Sequence, residues 1–109
     1  MAATGFTAAV WALARRVPEG RATTFGTLAE AYYGVAGGVP RSTRGARGVG
    51  QAMARCPADV PWWRVVHADG RMKGTAGADE QRARLAEEGV PLTADGRVDW
   101  AGASGPWAP

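Results

Sequence analysis

ARGVGQAMAR, residues 46–55, is the stretch on which the reading of the fold depends. Val49, Ala52 and Met53 recur at helical spacing, yet Gly48 and Gly50 sit among them. Each glycine costs about 1 kcal/mol relative to alanine inside a helix. A helix that keeps two of them usually has something approaching its backbone closely. Cys56-Pro57 ends the segment.

Toward the N-terminus, VAGGVPRSTRG (35–45) is a loop by composition and carries Arg41 and Arg44. Those arginines suit phosphate contacts or a solvated surface equally well. Before the loop, TTFGTLAEAYYG (23–34) reads as a short helix. Thr24 is the N-cap, Leu28, Ala29, Tyr32 and Tyr33 follow, and Gly34 is the stop. Phe6, Val10, Leu13 and Val17 fall at i, i+4, i+7 and i+11, which predicts a first helix from about Gly5 to Arg16. Pro18-Glu19-Gly20 closes it. Two short helices around a loop, the second glycine-rich and flanked by arginine, outline a helix-turn-helix. Many three-helix domains match that outline.

Toward the C-terminus, PWWRVV (61–66) places two of the five tryptophans side by side. Asp69-Gly70, between Val65-Val66 and Arg71-Met72, reads as a tight hairpin-like turn. DEQRARLAEE (79–88) is a last helix, acidic at its start and stopped by Gly89. From Val90 to Pro109 the apolar anchors are Val98, Trp100 and Trp107, so an irregular tail packed by its tryptophans is expected. The predicted fold is mainly α: a single small winged-helix-like helix-turn-helix domain with a short β-hairpin and an irregular C-terminal tail. One domain spans 1–109, with its core over about 5–89 and the tail over 90–109.

Composition narrows the function classes. A chain of 109 residues holds one small core, in which aromatic residues carry much of the burial. No apolar run approaches the roughly 18–20 residues of a membrane span. The N-terminus is apolar and then basic, the reverse of a secretory signal, so a cytoplasmic location is expected. Cys56 is the only cysteine and His67 the only histidine, which predicts no metal, no cofactor and no internal disulfide. Net charge is +3, with 12 Arg and a single Lys. The first sixty residues hold seven of those arginines against Glu19, Glu30 and Asp59. That asymmetry suits either an anionic partner or a solvated basic face.

In the order VPEGRATTFGTLA, ARGVGQAM, CP, VPWWRVVHADG and RLAEEG, the chain resembles the DNA-binding domain of the 6-O-alkylguanine-DNA alkyltransferases, over roughly Phe6 to Gly89. The core pattern of those enzymes is P-C-H-R-V, in which the cysteine takes an alkyl group from damaged guanine. The same frame here reads Pro61-Trp62-Trp63-Arg64-Val65. Trp62 stands at the nucleophile's position and Trp63 at that of the activating histidine. Transfer needs a thiolate activated by a base, and an indole is neither nucleophile nor base. The chain is therefore similar to the alkyltransferase-like proteins, non-enzymatic sensors that pass alkylated guanine to nucleotide excision repair.

The resemblance carries residue roles. It implies a helix-turn-helix in the minor groove and a lesion base flipped into a pocket. Arg47 matches the arginine that takes the flipped base's place in the stack. Gly48, Val49 and Gly50 would let the helix backbone press into the groove, and Gln51 belongs to the same DNA-facing stretch. Phe25 matches a tyrosine that acts on the lesion's phosphate; without that hydroxyl, the phosphate bond falls to Thr24, through either its hydroxyl or its backbone N–H. The implied lesion pocket comprises Phe25, Pro61, Trp62, Trp63, Arg64, Val65, Val66 and Lys73. Trp62 lines it with an aromatic wall, while Trp63 either packs in the core or fills the space of the lost histidine. Arg64 holds the loop through backbone carbonyls, and the Val65 and Val66 backbone reads the guanine edge. Lys73, with Arg71 second, sits in the lid over the pocket. Glu88 matches the carboxylate that orients the enzymes' histidine, and here either Arg64 or the Trp63 indole holds it.

The implied partners are double-stranded DNA carrying 6-O-alkylguanine and nucleotide excision repair proteins, with the chain acting as a monomer. Two other readings compete. One is an active alkyltransferase using Cys56, whose bland alternative is a small residue at a helix end. The other is a helix-turn-helix transcriptional regulator, against which stands a recognition helix rich in glycine.

Overall fold

The computed structural model describes residues 5–34, 44–72 and 77–109. Helix α1 (Gly5–Arg15) is followed by a two-residue strand β1 (Thr23–Thr24), helix α2 (Phe25–Tyr33) and helix α3 (Gly45–Met53). A single 3-10 turn, Trp62–Arg64, leads into strand β2 (Val65–Val66), and helix α4 (Ala78–Glu87) precedes the tail. The predicted helices are present within a residue or two of their expected ends. Among the described residues no helix is long and apolar enough to cross a membrane.

Local chemistry explains the ends of α2. Thr24 is extended (φ −115°, ψ 159°), and its hydroxyl accepts the Thr27 N–H at 3.0 Å, a standard N-cap. Gly34 ends the helix in the left-handed region at φ 69°, where its N–H donates to the Glu30 carbonyl.

The apolar faces of α1, α2 and α3 meet in a first core built on Phe6, Val10, Leu28, Ala29, Val49, Ala52 and Met53. The Trp11 indole N–H donates to the Ala52 carbonyl at 2.9 Å and ties α1 to α3. A second core gathers Ala22, Val66, Met72, Leu85, Val90 and Val98 beneath α4 and the tail. Val65 belongs to the first core and Val66 to the second. Successive strand residues face opposite ways, so a two-residue strand is enough to divide the two cores.

The expected short hairpin takes a different form. The Asp69-Gly70 turn closes as predicted, with His67 N–H donating to the Arg71 carbonyl (3.0 Å) and Gly70 N–H to the His67 carbonyl (2.9 Å). The partner of Val65–Val66 is nevertheless β1, in parallel, with Thr23 opposite Val65 and Thr24 opposite Val66. An antiparallel bridge forms further on, between Leu92 and Val98.

The tail packs by its tryptophans. Trp107 N–H donates to the Ala22 carbonyl at 2.7 Å, and the Thr23 hydroxyl donates to the Trp107 carbonyl at 2.7 Å. The Trp100 indole N–H donates to the Ala68 carbonyl at 3.0 Å, and Val98 N–H to the Gly70 carbonyl at 2.9 Å. Residues 98–107 thereby fasten both the segment before Phe25 and the turn after Val66.

Candidate nucleic-acid interface

Helix α3 sorts its residues by period. Gly48, Val49, Ala52 and Met53 turn inward, while Arg47 and Gln51 are exposed. Gly48 was expected against a groove. It is instead buried under the protein's own side chains: a Cβ there would meet Arg44 Cβ at 2.4 Å and Phe6 Cζ at 3.4 Å. The Arg44 guanidinium lies 5.0 Å from the Phe6 ring centroid, and Arg44 N–H donates to the Tyr33 hydroxyl at 3.0 Å. Internal packing is by itself sufficient to require glycine here.

Between α2 and α3 lies a cavity of about 600 Å³. Its lining is Phe25, Gly26, Ala46, Arg47, Gly50, Gln51, Ala54, His67 and Ala68. Four of the residues assigned to DNA by sequence therefore share one cavity: Phe25, Arg47, Gly50 and Gln51. Thr24 lies behind them. Its side chain is almost fully buried, and its hydroxyl is held by the helix cap and by the Thr27 hydroxyl at 2.8 Å. That leaves the hydroxyl committed inside the fold, away from the phosphate role assigned to it. His67 and Ala68 come from the far side of the β1–β2 pair and had no site role in the sequence reading. Only knowledge that Val65–Val66 pairs with Thr23–Thr24 would have brought them beside Phe25. The rings of Phe25 and His67 are 5.3 Å apart at 59°.

The tryptophan pair forms a second assembly. Trp62 and Trp63 are half-buried and meet edge to face, with centroids 6.0 Å apart at 89°. The Trp63 indole N–H donates to Glu88 Oε2 at 2.9 Å. Arg64 grips the same carboxylate with Nε (2.9 Å to Oε1) and Nη2 (2.7 Å to Oε2), and its Nη1 donates to the Val17 carbonyl at 2.8 Å. The Gly20 N–H adds a longer bond of 3.4 Å to Oε1. Both expected partners thus hold Glu88, and Arg64 does reach a backbone carbonyl. The Arg84 guanidinium covers the outer pair of rings, 4.5 Å from Trp63 and 5.9 Å from Trp62. Burial pushes the Glu88 carboxyl upward. Hydrogen bonds from Arg64 and Trp63, the Arg64 charge and the Gly20 N–H outweigh it and hold the group below the ordinary glutamate value.

Gln81 was missed by sequence reading. It is buried at 2% exposure in α4, and its amide nitrogen donates to the carbonyls of Trp63 (3.2 Å) and Val65 (3.0 Å). The Val65 carbonyl, expected to read guanine, is thereby engaged within the protein. Val65 and Val66 side chains and Pro61 are buried. Among the described residues, those assigned to the lesion pocket are found in two neighbourhoods. Phe25 lines the α2–α3 cavity, which Trp62 and Trp63 do not line, and the tryptophans join Arg64, Arg84 and Glu88. Arg71 is exposed and paired with Asp69 at 2.7 Å. Lys73 and Arg41 lie outside the described residues. Cys56 is half-buried against the first core and is not among the cavity residues.

A small helical domain whose α2–α3 pair presents an arginine and a glutamine beside an aromatic-walled cavity has the form of a helix-turn-helix nucleic-acid-binding module. Residues 5–90 match the family model described as 6-O-methylguanine DNA methyltransferase, DNA binding domain, and the chain belongs to that family. It is 39% identical over 94 residues to the Escherichia coli K12 protein named DNA base-flipping protein, a match covering 83% of this chain and 66% of that protein's length. It is similar to S. pombe Atl1 solved with damaged DNA containing O6-carboxymethylguanine, at 30% identity and TM-score 0.74, with both chains covered fully. The Mycobacterium tuberculosis O6-methylguanine methyltransferase shares 31% identity at TM-score 0.64, over 86% of this chain and 54% of that enzyme.

Proposed function

We propose that this protein is a non-enzymatic sensor of 6-O-alkylguanine in duplex DNA. Helix α3 enters the minor groove, Arg47 takes the place of the flipped base, and the damaged base is held until nucleotide excision repair proteins act on it. One observation carries the reading: Trp62 and Trp63 occupy the frame in which family enzymes have their nucleophile and base, and Trp63 is bonded to Glu88 at 2.9 Å. An indole neither accepts an alkyl group readily nor relays a proton. Aromatic contact with a base is worth about 1–3 kcal/mol, which offsets part of the few kcal/mol that unstacking requires. The similarity to a protein named for base flipping and to Atl1 bound to damaged DNA supports the same reading.

The test is a titration of fluorescent duplex carrying one 6-O-methylguanine, beside an undamaged duplex at the same salt, with intact-protein mass recorded afterwards. Lesion-selective binding with unchanged mass is the expected result. Gain of one methyl group would make the protein an enzyme, with Cys56 the first residue to replace. Equal, salt-sensitive binding to both duplexes would leave only a basic DNA-binding domain.

A further inference from the structure

Thr24 and Phe25 leave the α2–α3 cavity without a hydroxyl at its α2 wall. Phe25 has none, and the Thr24 hydroxyl is taken by Thr27. The polar groups that remain on the lining are Arg47, Gln51 and His67. The His67 backbone is fixed at both ends of the turn, through its N–H to Arg71 and its carbonyl to Gly70. Its neighbour Ala68 is anchored by the Trp100 indole. The imidazole rests against the Phe25 ring, and among the described residues neither ring nitrogen has a hydrogen-bond partner. A ring held by its backbone and by one aromatic face, with both nitrogens open beside a cavity, is preorganised for a ligand.

The surrounding charges decide what kind of ligand. Helix α3 brings Arg47 to the same cavity, and α2 brings no charged side chain to it. In the turn of His67 itself, Asp69 and Arg71 pair with each other at 2.7 Å. In the tail packed on that turn, Arg97 pairs with Asp95 at 3.0 Å. Among the described residues no carboxylate lines the cavity. A protonated imidazole there stands with Arg47 as a second cation, and both suit an anion.

We infer that His67 is a direct DNA contact whose protonated imidazole donates to a backbone phosphate at the edge of the α2–α3 cavity. The inference rests on the DNA-binding reading above. Only the protonated imidazole brings a positive charge to the phosphate, so proton uptake by the ring strengthens the contact.

The experiment measures affinity for the lesion duplex and the undamaged duplex at about pH 8 and about pH 5.5, across a salt series. The wild type is compared with His67→Gln, which keeps bulk and a neutral donor. The wild type is expected to bind about tenfold more tightly at the lower pH, as suits one hydrogen bond to a charged group. Its slope of log K against log salt should steepen by about 0.9, the release from one more neutralised phosphate. His67→Gln, confirmed folded by an unchanged thermal melt, should lose both changes. A variant that keeps the wild-type pH rise and slope overturns the contact while lesion selectivity stands. A His67-dependent slope with equal binding to both duplexes keeps the contact and removes the lesion reading. A wild type that binds neither duplex overturns both.

Discussion

Replacing Glu88 by alanine tests how the tryptophan assembly is held. Glu88 accepts three bonds from Arg64, at 2.9, 3.3 and 2.7 Å, and one from the Trp63 indole at 2.9 Å. The two ion-pair side chains are only 14% and 11% exposed, so solvent screens them little. Removing one partner of a buried pair typically costs about 3–5 kcal/mol, because the other charge is stranded. Arg64 retains the Val17 carbonyl at 2.8 Å, which places this case at the lower end, about 3 kcal/mol. For a domain of this size that lowers Tm by roughly 12–24 °C. Urea unfolding at neutral pH, with an unchanged m-value, reads the difference directly.

The pH dependence has a definite sign. The folded-state value of Glu88 is depressed, so its stabilisation is complete above the unfolded value of about 4.3 and is lost as pH falls through the folded value. Glu88→Gln should accordingly be destabilised at neutral pH, and its deficit against the wild type should shrink as the solution is acidified below about pH 5. An alanine variant losing less than about 1 kcal/mol, or a glutamine deficit that persists unchanged into strong acid, would refute the reasoning.

Arg47→Ala should weaken lesion-duplex binding about 10- to 100-fold, by loss of stacking and phosphate attraction. Because Arg47 is exposed, the same change should leave Tm within a few degrees, and a large fall in stability would mean that its role is structural. Gly70 sits at φ 86°, where a Cβ would come within 2.5 Å of the Val98 carbonyl oxygen, so Gly70→Ala should cost about 2 kcal/mol or more in denaturant unfolding. Under the proposed reading, Trp62→Cys puts a thiol where the resemblance places the enzymes' nucleophile but leaves Trp63, which cannot relay a proton. Intact mass after incubation with methylated duplex should stay unchanged, and a methylated protein would show that the relay is dispensable.

Helix positions were legible because their signals are local. Thr24 and Gly34 bracket α2 through a hydroxyl cap and a left-handed stop, and each depends on residues three or four positions away. The spacing of Phe6 and Val10 shows the buried face of α1 directly. The parallel pairing of Thr23–Thr24 with Val65–Val66 has no such signal: two-residue strands carry almost no periodicity, and their partners lie in opposite halves of the chain. That one unseen pairing hid the rest. It brings His67 beside Phe25, while the Val65 carbonyl that the resemblance assigned to guanine is taken by Gln81 from α4. Gly48 misled for a related reason, because a glycine needed for approach by Arg44 and Phe6 looks, in sequence, like one needed for approach by DNA.

The bonds from Trp107 to Thr23 and Ala22 join residues 84 and 85 positions apart. Loop-closure entropy rises only slowly with length, so such a link is thermodynamically cheap once formed. It is kinetically late, however, since the chain must first bring its distant ends together. Helices α1 to α3 are joined by contacts of shorter sequence separation, such as Trp11 to Ala52, which predicts that the tail docks after them. Its Val98 and Trp107 amides should then exchange with solvent by a smaller opening than those of Val49 or Ala52. The same tail also touches the cavity wall, since the Trp100 indole holds the Ala68 carbonyl. The His67–Ala68 side of the cavity therefore shares its anchoring with the tail.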